Sequence, residues 1–301
     1  MTALSAHIPV LLHEVLDFMH VQPAGTYIDA TFGRGGHSRA ILERLGPQGR
    51  LFVFDRDPQA IACARELAAG DARVTVMHAA FSNIADCGVR DVDGVLFDLG
   101  ISSPQVDDAS RGFSFRQDGP LDMRMDPRTS PSAAEWLAVA AENEIADVLF
   151  RYGDERRSRL IAKRVVEARR RAPLSTTLEL AKLIHSCFPH HGGRIDNATR
   201  SFQALRIFIN DEMGEIERAL AVALNLIKRG GRVLVIAFHS LEDRYVKHRF
   251  RELDAEGRHG ADNGESRFRL VMRKSVQAGE QELAVNPRAR SSRLRALERV
   301  A

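Results

Sequence analysis

Short apolar runs alternate along the chain with longer segments whose apolar residues recur every three or four positions. The short runs predict strands near residues 26–32, 50–55, 74–78, 92–98 and 231–238, and two last strands at 268–273 and 292–297. The periodic segments predict helices near residues 10–20, 37–45, 58–69 and 214–228. Because strands that alternate with helices pair in parallel, this pattern predicts an α/β fold with a doubly wound parallel sheet.

The alternation stops between the strand that ends at Asp98 and the strand that begins near Gly231. The intervening chain contains several helical segments and is far too long for one crossover connection. We therefore predict a mainly helical inserted domain for substrate recognition over residues 106–200, and an α/β domain formed by residues 1–105 and 201–301.

Local signals refine this outline. Capping-box spacing at residues 132–135 and 176–179 predicts two helix starts inside the insertion. Ser240 is predicted to cap the helix that follows the last parallel strand. The polar, glycine-rich segment 254–265 predicts a mobile loop, and segment 106–131, rich in glycine, proline, aspartate and arginine, predicts an ordered functional loop.

A glycine-rich turn follows the first predicted strand, and it suits close approach of a ligand. Gly33, Gly35 and Gly36 permit positive φ and leave no Cβ in the way, and the next helix directs its N-terminus at the same place. Asp55 ends the second strand, where a carboxylate can accept hydrogen bonds from the ribose of an adenosine. The turn has Ser38 where a dinucleotide fingerprint has its third glycine, and it lacks the lysine of a P-loop.

This combination of turn and carboxylate is the signature of class I S-adenosylmethionine methyltransferases, which have a Rossmann-like sheet. A tight turn without any ligand stays open as the alternative. Asp98 ends the fourth strand, at the sheet edge where open α/β proteins bind ligands. Amino-methyltransferases of DNA bases continue from this point with two prolines and an aromatic residue. Here Ser103-Pro104-Gln105 follows without the aromatic residue.

Composition narrows the class of protein further. The 301 residues are enough for a substantial core, and the three cysteines include no C-x-x-C pair. We therefore predict neither a zinc site nor disulfides, and no metal. The N-terminal residues lack the pattern of a secretion signal, and no apolar run approaches the length of a membrane span, so we predict a cytoplasmic protein.

The net charge is only +3, but the basic residues are clustered. Eight of them fall on a predicted helix over residues 154–171, namely Arg156, Arg157, Arg159, Lys163, Arg164, Arg169, Arg170 and Arg171. A second cluster lies in the tail over residues 287–295. Guanidinium groups bind phosphate oxygens bidentately, so two such clusters favour a nucleic-acid substrate. A solvated helix face remains the alternative for either cluster alone.

Seven motifs together resemble one family over nearly the whole chain. They are Asp29-Ala-Thr-Phe-Gly-Arg-Gly-Gly-His37, Phe54-Asp-Arg-Asp-Pro58, Asp98-Leu-Gly-Ile-Ser-Ser-Pro-Gln105, Arg111-Gly-Phe-Ser-Phe115, Gly119-Pro-Leu-Asp-Met-Arg-Met-Asp126, Phe238-His-Ser-Leu-Glu-Asp243 and Asn286-Pro-Arg-Ala-Arg-Ser-Ser292. The chain resembles the RsmH (MraW) family of bacterial 16S rRNA cytosine-N4 methyltransferases. The resemblance implies methyl transfer from S-adenosylmethionine to N4 of one cytidine in the decoding centre of the small ribosomal subunit.

The resemblance also implies roles for individual residues. Cofactor contacts fall on the turn residues Gly35, Gly36 and His37, on Asp55 for the ribose, on Phe81 for the adenine, and on Asp98 and Gln105. The amine of cytosine must be held in line with the sulfonium methyl group, without a metal or a covalent intermediate. Our candidates for holding it are Asp98, Ser102, Ser103 and Pro104.

Substrate contacts are predicted at six further positions. Phe113 and Phe115 could stack on an extruded cytosine, or could anchor their loop to the insertion. His239 could be a general base, although a structural or RNA-positioning histidine is the stronger interpretation. The tail residues predicted to contact RNA are Arg288, Arg290 and Arg293.

Three other functions share part of this pattern. A DNA amino-methyltransferase would carry the missing aromatic residue, and a nicotinamide oxidoreductase would carry the third glycine and a proton-relay pair. A non-enzymatic RNA-binding or assembly factor would need only the basic clusters, but the intact glycine turn with Asp55 favours catalysis. The oligomeric state is open, and a homodimer is compatible with the sequence.

Overall fold

A computed structural model describes residues 9–189, 196–259 and 267–301, with the side chains of 256–259 left undescribed. The strands in this part of the chain are β1 Thr26–Asp29, β2 Arg50–Asp55, β3 Val74–His78, β4 Val92–Asp98, β5 Ile227–Ala237, β6 Phe268–Leu270 and β7 Arg293–Arg299. They form one sheet in the order β3-β2-β1-β4-β5-β7-β6. The first five strands are parallel, whereas β7 is antiparallel to β5 and to β6. The α/β prediction is confirmed.

Helices precede and separate the strands along the chain. They are α1 Leu12–Met19, α2 Gly36–Arg44, α3 Pro58–Gly70, α4 Ser103–Asp107, α5 Ala133–Val139, α6 Glu142–Gly153, α7 Ser158–Arg169, α8 Thr177–Ser186, α9 Thr199–Ile209, α10 Glu212–Leu226, α11 Ser240–His259 and α12 Glu280–Val285. Short 3-10 helices lie at Phe81–Cys87, Ala109–Arg111 and Pro287–Ser291. Among the described residues, no helix has both the length and the apolar character needed to cross a membrane.

The chain divides into two compact units, Met1–Gly100 with Gly214–Ala301, and Ile101–Met213. In the first unit the central strands are apolar along nearly their whole length, and β4 buries Val95, Leu96 and Phe97. Strands covered on both faces by helices require such continuous apolar runs, since neither face meets water.

The second unit is mainly helical and has its own core. Its boundaries differ from those of the predicted insertion, 106–200, because α9 continues past residue 200 and buries Phe202 and Leu205 in this core. Segment 106–131 belongs to the same unit and is ordered. Side-chain hydrogen bonds hold it at several points, and the amide of Asn210 bonds both the carbonyl of Met123 and the N–H of Met125.

The helix starts confirm two predictions and correct a third. Ser132 and Thr176 each cap their helix and share a capping box with the glutamate three residues later. Ser240 does not cap α11 but is its first residue. The carboxylate of Glu242 instead accepts hydrogen bonds from the backbone N–H groups of Phe238 and His239, which fixes the start of this helix.

Helix ends also depart from the predicted bounds. The predicted basic helix over residues 154–171 begins only at Ser158, because Asp154 adopts a left-handed conformation that ends α6. The loop prediction for residues 254–265 is wrong at its start. Residues 254–259 continue α11, where Asp254 accepts a hydrogen bond from the N–H of Leu270 in β6, while residues 260–265 lie outside the described part.

Candidate functional site

The parallel strands bring the predicted cofactor residues of the first unit to one edge of the sheet. Asp29, Asp55 and Asp98 are the last residues of β1, β2 and β4, whereas Phe81 and His239 follow β3 and β5 closely. The carboxyl ends of neighbouring parallel strands share an edge, and open α/β proteins bind ligands there. The topology therefore assembles a candidate site from five separate segments.

The glycine turn after β1 has the predicted positive φ at Gly33 and Gly35, whereas Gly36 is the first residue of α2 and does not have it. Gly33 and Gly35 have φ values of 55° and 74°, in the left-handed region. A Cβ added at Gly35 would lie 2.5 Å from the ring of Phe32, so the turn itself requires glycine there. At Gly33 the nearest atom to an added Cβ is 4.0 Å away, the carbonyl oxygen of Thr31. The space beside Gly33 is thus open for a ligand to approach the backbone.

Asp55 is joined directly to this turn. One carboxylate oxygen accepts a hydrogen bond from the N–H of Gly33 at 2.8 Å, and the other accepts from the N–H of Asp57 at 2.9 Å. Burial raises the pKa of Asp55 above its ordinary value, and these two hydrogen bonds oppose that shift. Each oxygen retains acceptor capacity, because a carboxylate has about four lone-pair sites. The geometry suits two ribose hydroxyls.

Phe81 begins the 3-10 helix after β3. Its ring packs edge-on against the ring of Phe97, with centroids 5.9 Å apart and planes at 75°. The guanidinium of Arg56 lies 5.8 Å from the Phe81 centroid. The ring is only partly buried and is fixed at the edge of the sheet, as a stacking partner for adenine must be.

Asp98 has the most unusual electrostatics at this edge. Its side chain is 26% exposed, but Oδ1 is fully buried and accepts no hydrogen bond within the described part of the chain. Burial is the main cause that raises the pKa of Asp98 well above its ordinary value, and the carboxyl groups of Asp29 and Glu242 add to it. The backbone is held firmly, since its N–H donates to the hydroxyl of Thr31 at 2.6 Å.

Two further acidic residues therefore contribute to the site, and sequence reasoning assigned a role to neither. Asp29 is buried, accepts hydrogen bonds from the hydroxyl of Ser38 and the N–H of Thr31, and has a pKa raised by burial to about 6. Its signal in the sequence was the acidic end of the first strand. Glu242 is fully buried, and its signal was the glutamate three residues after His239 at a helix start.

Both ring nitrogens of His37 face other groups of the protein. Nε2 lies 3.0 Å from the carbonyl oxygen of Val10, which can only accept, so this nitrogen carries the hydrogen. Nδ1 lies 3.7 Å from Oδ2 of Asp98. The imidazole is thus a link between the start of α1, the glycine turn and Asp98. The cofactor contact expected at His37 stays a prediction.

His239 directs both ring nitrogens at one neighbour. Nδ1 accepts from the N–H of Glu242 at 3.4 Å, and Nε2 lies 3.0 Å from a carboxylate oxygen of the same residue. The contacts therefore support the structural interpretation of His239.

The predicted site residues at positions 102–105 belong to the second unit. Ser102 caps α4, whose first residues are Ser103 and Pro104, and the side-chain oxygen of Gln105 accepts a hydrogen bond from the N–H of Ser102 at 2.9 Å. Gln105 is buried and caps the helix, a role that was not among our predictions. A glutamine three residues after a serine is nevertheless the usual capping signal.

The two phenylalanines predicted to meet the cytosine are packed inside the second unit. Phe113 is only 8% exposed and belongs to the core. The ring of Phe115 lies edge-on to Phe202 at 4.9 Å. These contacts support the anchoring alternative rather than stacking on a base.

The tail arginines lie on the surface of the first unit. Arg288 and Arg290 are in the 3-10 helix before β7, and Arg293 is the first residue of that strand. All three are exposed, and the guanidinium of Arg293 lies 4.0 Å from Asp243. The neighbouring Arg295 is largely buried and donates to Asp243 at 2.8 Å, so it has a structural role.

Comparison with known proteins finds relatives that match nearly the whole chain. A family model described as the MraW methylase family matches residues 4–300. The chain is 51% identical to Ribosomal RNA small subunit methyltransferase H of Xanthomonas axonopodis pv. citri, over 98% of this chain and 88% of that protein. It is also 51% identical to the protein of the same name from Alcanivorax borkumensis, over 98% and 97% of the two chains. A solved rRNA methylase from Streptococcus thermophilus superposes with a TM-score of 0.45 at 13% identity, covering 98% of this chain and 100% of that one.

An adenosine cofactor fits three features of this edge. They are the open space beside Gly33, the Asp55 carboxylate that accepts from the N–H of Gly33, and the ring of Phe81 packed on Phe97. The predictions of a class I S-adenosylmethionine methyltransferase fold and of S-adenosylmethionine as the cofactor are confirmed. The family match and the two relatives extend over nearly the whole sequence, so the resemblance is also confirmed. The chain belongs to the MraW methylase family.

Proposed function

We propose that this protein transfers a methyl group from S-adenosylmethionine to N4 of one cytidine in the decoding centre of 16S rRNA, within the small ribosomal subunit. The names of its relatives support a small-subunit rRNA substrate. The observation that carries the chemistry is the carboxylate of Asp98, which is partly exposed beside the glycine turn and whose buried Oδ1 has no partner among the described residues. An RNA substrate of this kind also places the proposed activity in the cytoplasm.

Binding of the cofactor falls to the first unit. The backbone at Gly33 faces open space, the carboxylate of Asp55 would accept hydrogen bonds from the ribose hydroxyls, and the ring of Phe81 would stack on the adenine. Once bound, S-adenosylmethionine supplies an electrophilic methyl group on a sulfonium sulfur. The protein must then hold a nucleophile in line with that methyl group and keep water away.

Asp98 is the proposed acceptor for the amine. The exocyclic N4 of cytosine is a poor nucleophile because its lone pair is delocalised into the ring. A hydrogen bond from N4–H to the accessible part of the Asp98 carboxylate, whose side chain is 26% exposed, orients the amine and stabilises the positive charge that develops on it. As the N–C bond forms and the C–S bond breaks, the ionised carboxylate takes the N4 proton, which leaves neutral N4-methylcytidine.

The environment of Asp98 suits this role. Burial and the neighbouring carboxyl groups of Asp29 and Glu242 raise its pKa, so the ionised form is a stronger base than an ordinary carboxylate. A general base is most effective when its pKa lies near the working pH. Ser102, Ser103 and Pro104 form the capped start of α4, and we propose that this turn holds the cytosine in register.

We further propose that the second unit and the tail arginines recognise the RNA. The exposed guanidinium groups of Arg288, Arg290 and Arg293 suit a phosphate backbone. No additional catalytic group is required from His239, whose ring nitrogens both face Glu242.

The test is methyl transfer from labelled S-adenosylmethionine to three substrates, with nucleoside analysis of each product. The substrates are small subunits from a strain that lacks this protein, naked rRNA and duplex DNA. We expect N4-methylcytidine in the small-subunit sample. Transfer to another nucleoside, or to DNA alone, would contradict the proposed substrate. Cofactor binding without transfer to any sample would contradict the reaction, and absence of binding would favour an assembly factor.

A further inference from the structure

The basic residues of the predicted helix over 154–171 fall into two groups. One group is committed to the second unit itself. Arg157 donates to the carbonyl of Cys187 at 2.6 Å, and Arg169 donates to the carbonyls of Leu137 and Ala140 at 2.6 and 2.7 Å. Arg164 pairs with Glu167 at 3.1 Å. These three arginines stabilise the unit or neutralise a neighbouring acid, so they are poor candidates for binding a partner.

The other group is exposed. Its members are Arg156, Arg159, Lys163, Arg170 and Arg171. None of these side chains forms a hydrogen bond or ion pair with the described residues. Five uncompensated positive charges within one short segment are unusual in a chain with a net charge of only +3. They produce a locally positive surface.

Three of these exposed residues are arranged as a stripe, Arg159 and Lys163 on α7 and Arg170 directly after its last residue, where the backbone is still in the helical conformation. Arg159, Lys163 and Arg170 are four and seven positions apart, which places them on one face of an α-helix. The side of α7 that is buried lies roughly opposite and contains Ser158, Ile161, Ala162 and Val165. At about 1.5 Å per residue the stripe is about 16 Å long. Val166, which also falls on this line, is apolar and packs partly buried against the core, so the exposed part of the stripe consists of the three cationic side chains.

We propose that this stripe, Arg159, Lys163 and Arg170, is a binding surface for the sugar-phosphate backbone of the RNA substrate. The proposal rests on the proposed function, from which it takes RNA as the partner, and it adds the surface that meets the RNA. Cationic side chains free of carboxylate partners complement phosphates. A protein partner would instead be expected on a patch with an aromatic or apolar centre, since lysine is depleted in such interfaces.

Two properties follow from phosphate recognition. The stripe contributes affinity without sequence preference, because phosphates are the same at every nucleotide. Its contribution also falls with salt, since each neutralised phosphate releases counterions. For single strands each contact changes the slope of log affinity against log salt by about 0.7.

The test compares two triple variants of the full chain. Arg159→Gln/Lys163→Gln/Arg170→Gln removes the stripe. Arg44→Gln/Arg65→Gln/Arg90→Gln removes the same charge from exposed arginines of the first unit. Affinity for small subunits lacking the modification is measured over a salt series without cofactor, and KM and kcat are measured separately. Unfolding temperature and S-adenosylmethionine binding verify that each variant is folded.

We expect the stripe variant to lose at least about tenfold in affinity near physiological salt, and its salt slope to fall by about 2. KM for the subunit should rise while kcat stays unchanged. Arg159→Lys/Arg170→Lys, which keeps the charges, should bind nearly as tightly as the wild type. Equal losses in the two triple variants, or no loss in the stripe variant, would overturn the proposal. Because binding is measured without methyl transfer, a stripe that fails and a reaction that fails give separate results.

Discussion

In the proposed mechanism the chemistry depends mainly on one side chain, that of Asp98. It lies at the end of a central strand, with one oxygen buried and without a partner among the described residues, and with two other carboxyl groups acting on its charge. An ionised carboxylate in such surroundings is costly for the folded protein. A group that costs stability and lies at the ligand edge of the sheet is typical of a functional residue.

Asp98→Asn tests both halves of this description. The amide cannot accept the N4 proton, so we expect kcat to fall by about 100-fold or more. The folded state should not lose stability at neutral pH. The raised pKa means that Asp98 stabilises the fold only while it is protonated, and that this contribution is lost as the pH rises through its folded pKa. Methyl-transfer kinetics and thermal unfolding measure the two effects.

The control for this variant is Asp86→Asn at an exposed aspartate of the same unit. It should change neither quantity. Full activity in Asp98→Asn would contradict the role of Asp98 as proton acceptor.

Glu242→Gln tests the electrostatic link between these carboxyl groups. The glutamine oxygen can still accept from the N–H groups of Phe238 and His239, so the start of α11 is preserved. Loss of the negative charge lowers the pKa of Asp98. Because the proposed mechanism requires ionised Asp98, the acidic limb of the kcat profile should move to lower pH. The measurement is kcat against pH for the wild type and the variant, and a limb that does not move would contradict the coupling.

Segment 106–131 has no helical or strand periodicity, and side-chain hydrogen bonds hold its backbone in place. Met123 is fully buried and adopts a φ of 64°, which is unusual for a residue with a side chain. Arg111 donates to the carbonyls of Arg124 and Met125, and Asn210 bonds the backbone on either side of Arg124. Hydrogen bonds from side chains replace the regular pairing of a helix or strand here.

Asn210→Ala should therefore destabilise the second unit. The change leaves the buried carbonyl of Met123 and the N–H of Met125 without this partner, at a cost of about 1–3 kcal/mol for each group. Chemical denaturation measures the loss, and hydrogen exchange at Met125 locates it. Asn225→Ala removes an exposed asparagine that bonds within α10, and it should have little effect. Equal stability of the two variants would contradict the assigned role of Asn210.

The proposed recognition of RNA concerns the whole molecule, since exposed arginines occur in both units. Arg288→Gln/Arg290→Gln/Arg293→Gln should weaken binding to small subunits and lower the salt slope by about 2. The measurement is subunit affinity over a salt series. The control is the first-unit triple Arg44→Gln/Arg65→Gln/Arg90→Gln, which removes the same charge. An unchanged affinity and slope in the tail variant would show that the tail does not contact RNA.

The sequence predicted the sheet and the cofactor edge because both depend on local patterns. Gly33 and Asp55 are recognisable from spacing alone, and the structure joins them by a hydrogen bond. Long-range packing was not predictable in this way. The burial of Phe113 and Phe115 depends on helices far along the chain, including α9 with Phe202. The acidic neighbours of Asp98 likewise come from separate strands and helices, which sequence distance conceals.

The most direct test maps the product at nucleotide resolution. Small subunits from a strain without the protein are treated with S-adenosylmethionine and either the wild type or Asp98→Asn, and modified cytidines in the 16S rRNA are located. The account predicts N4-methylcytidine at one decoding-centre position with the wild type, and a strong reduction there with the variant. A methyl group on another atom or at a distant position, or equal product from both proteins, would contradict it.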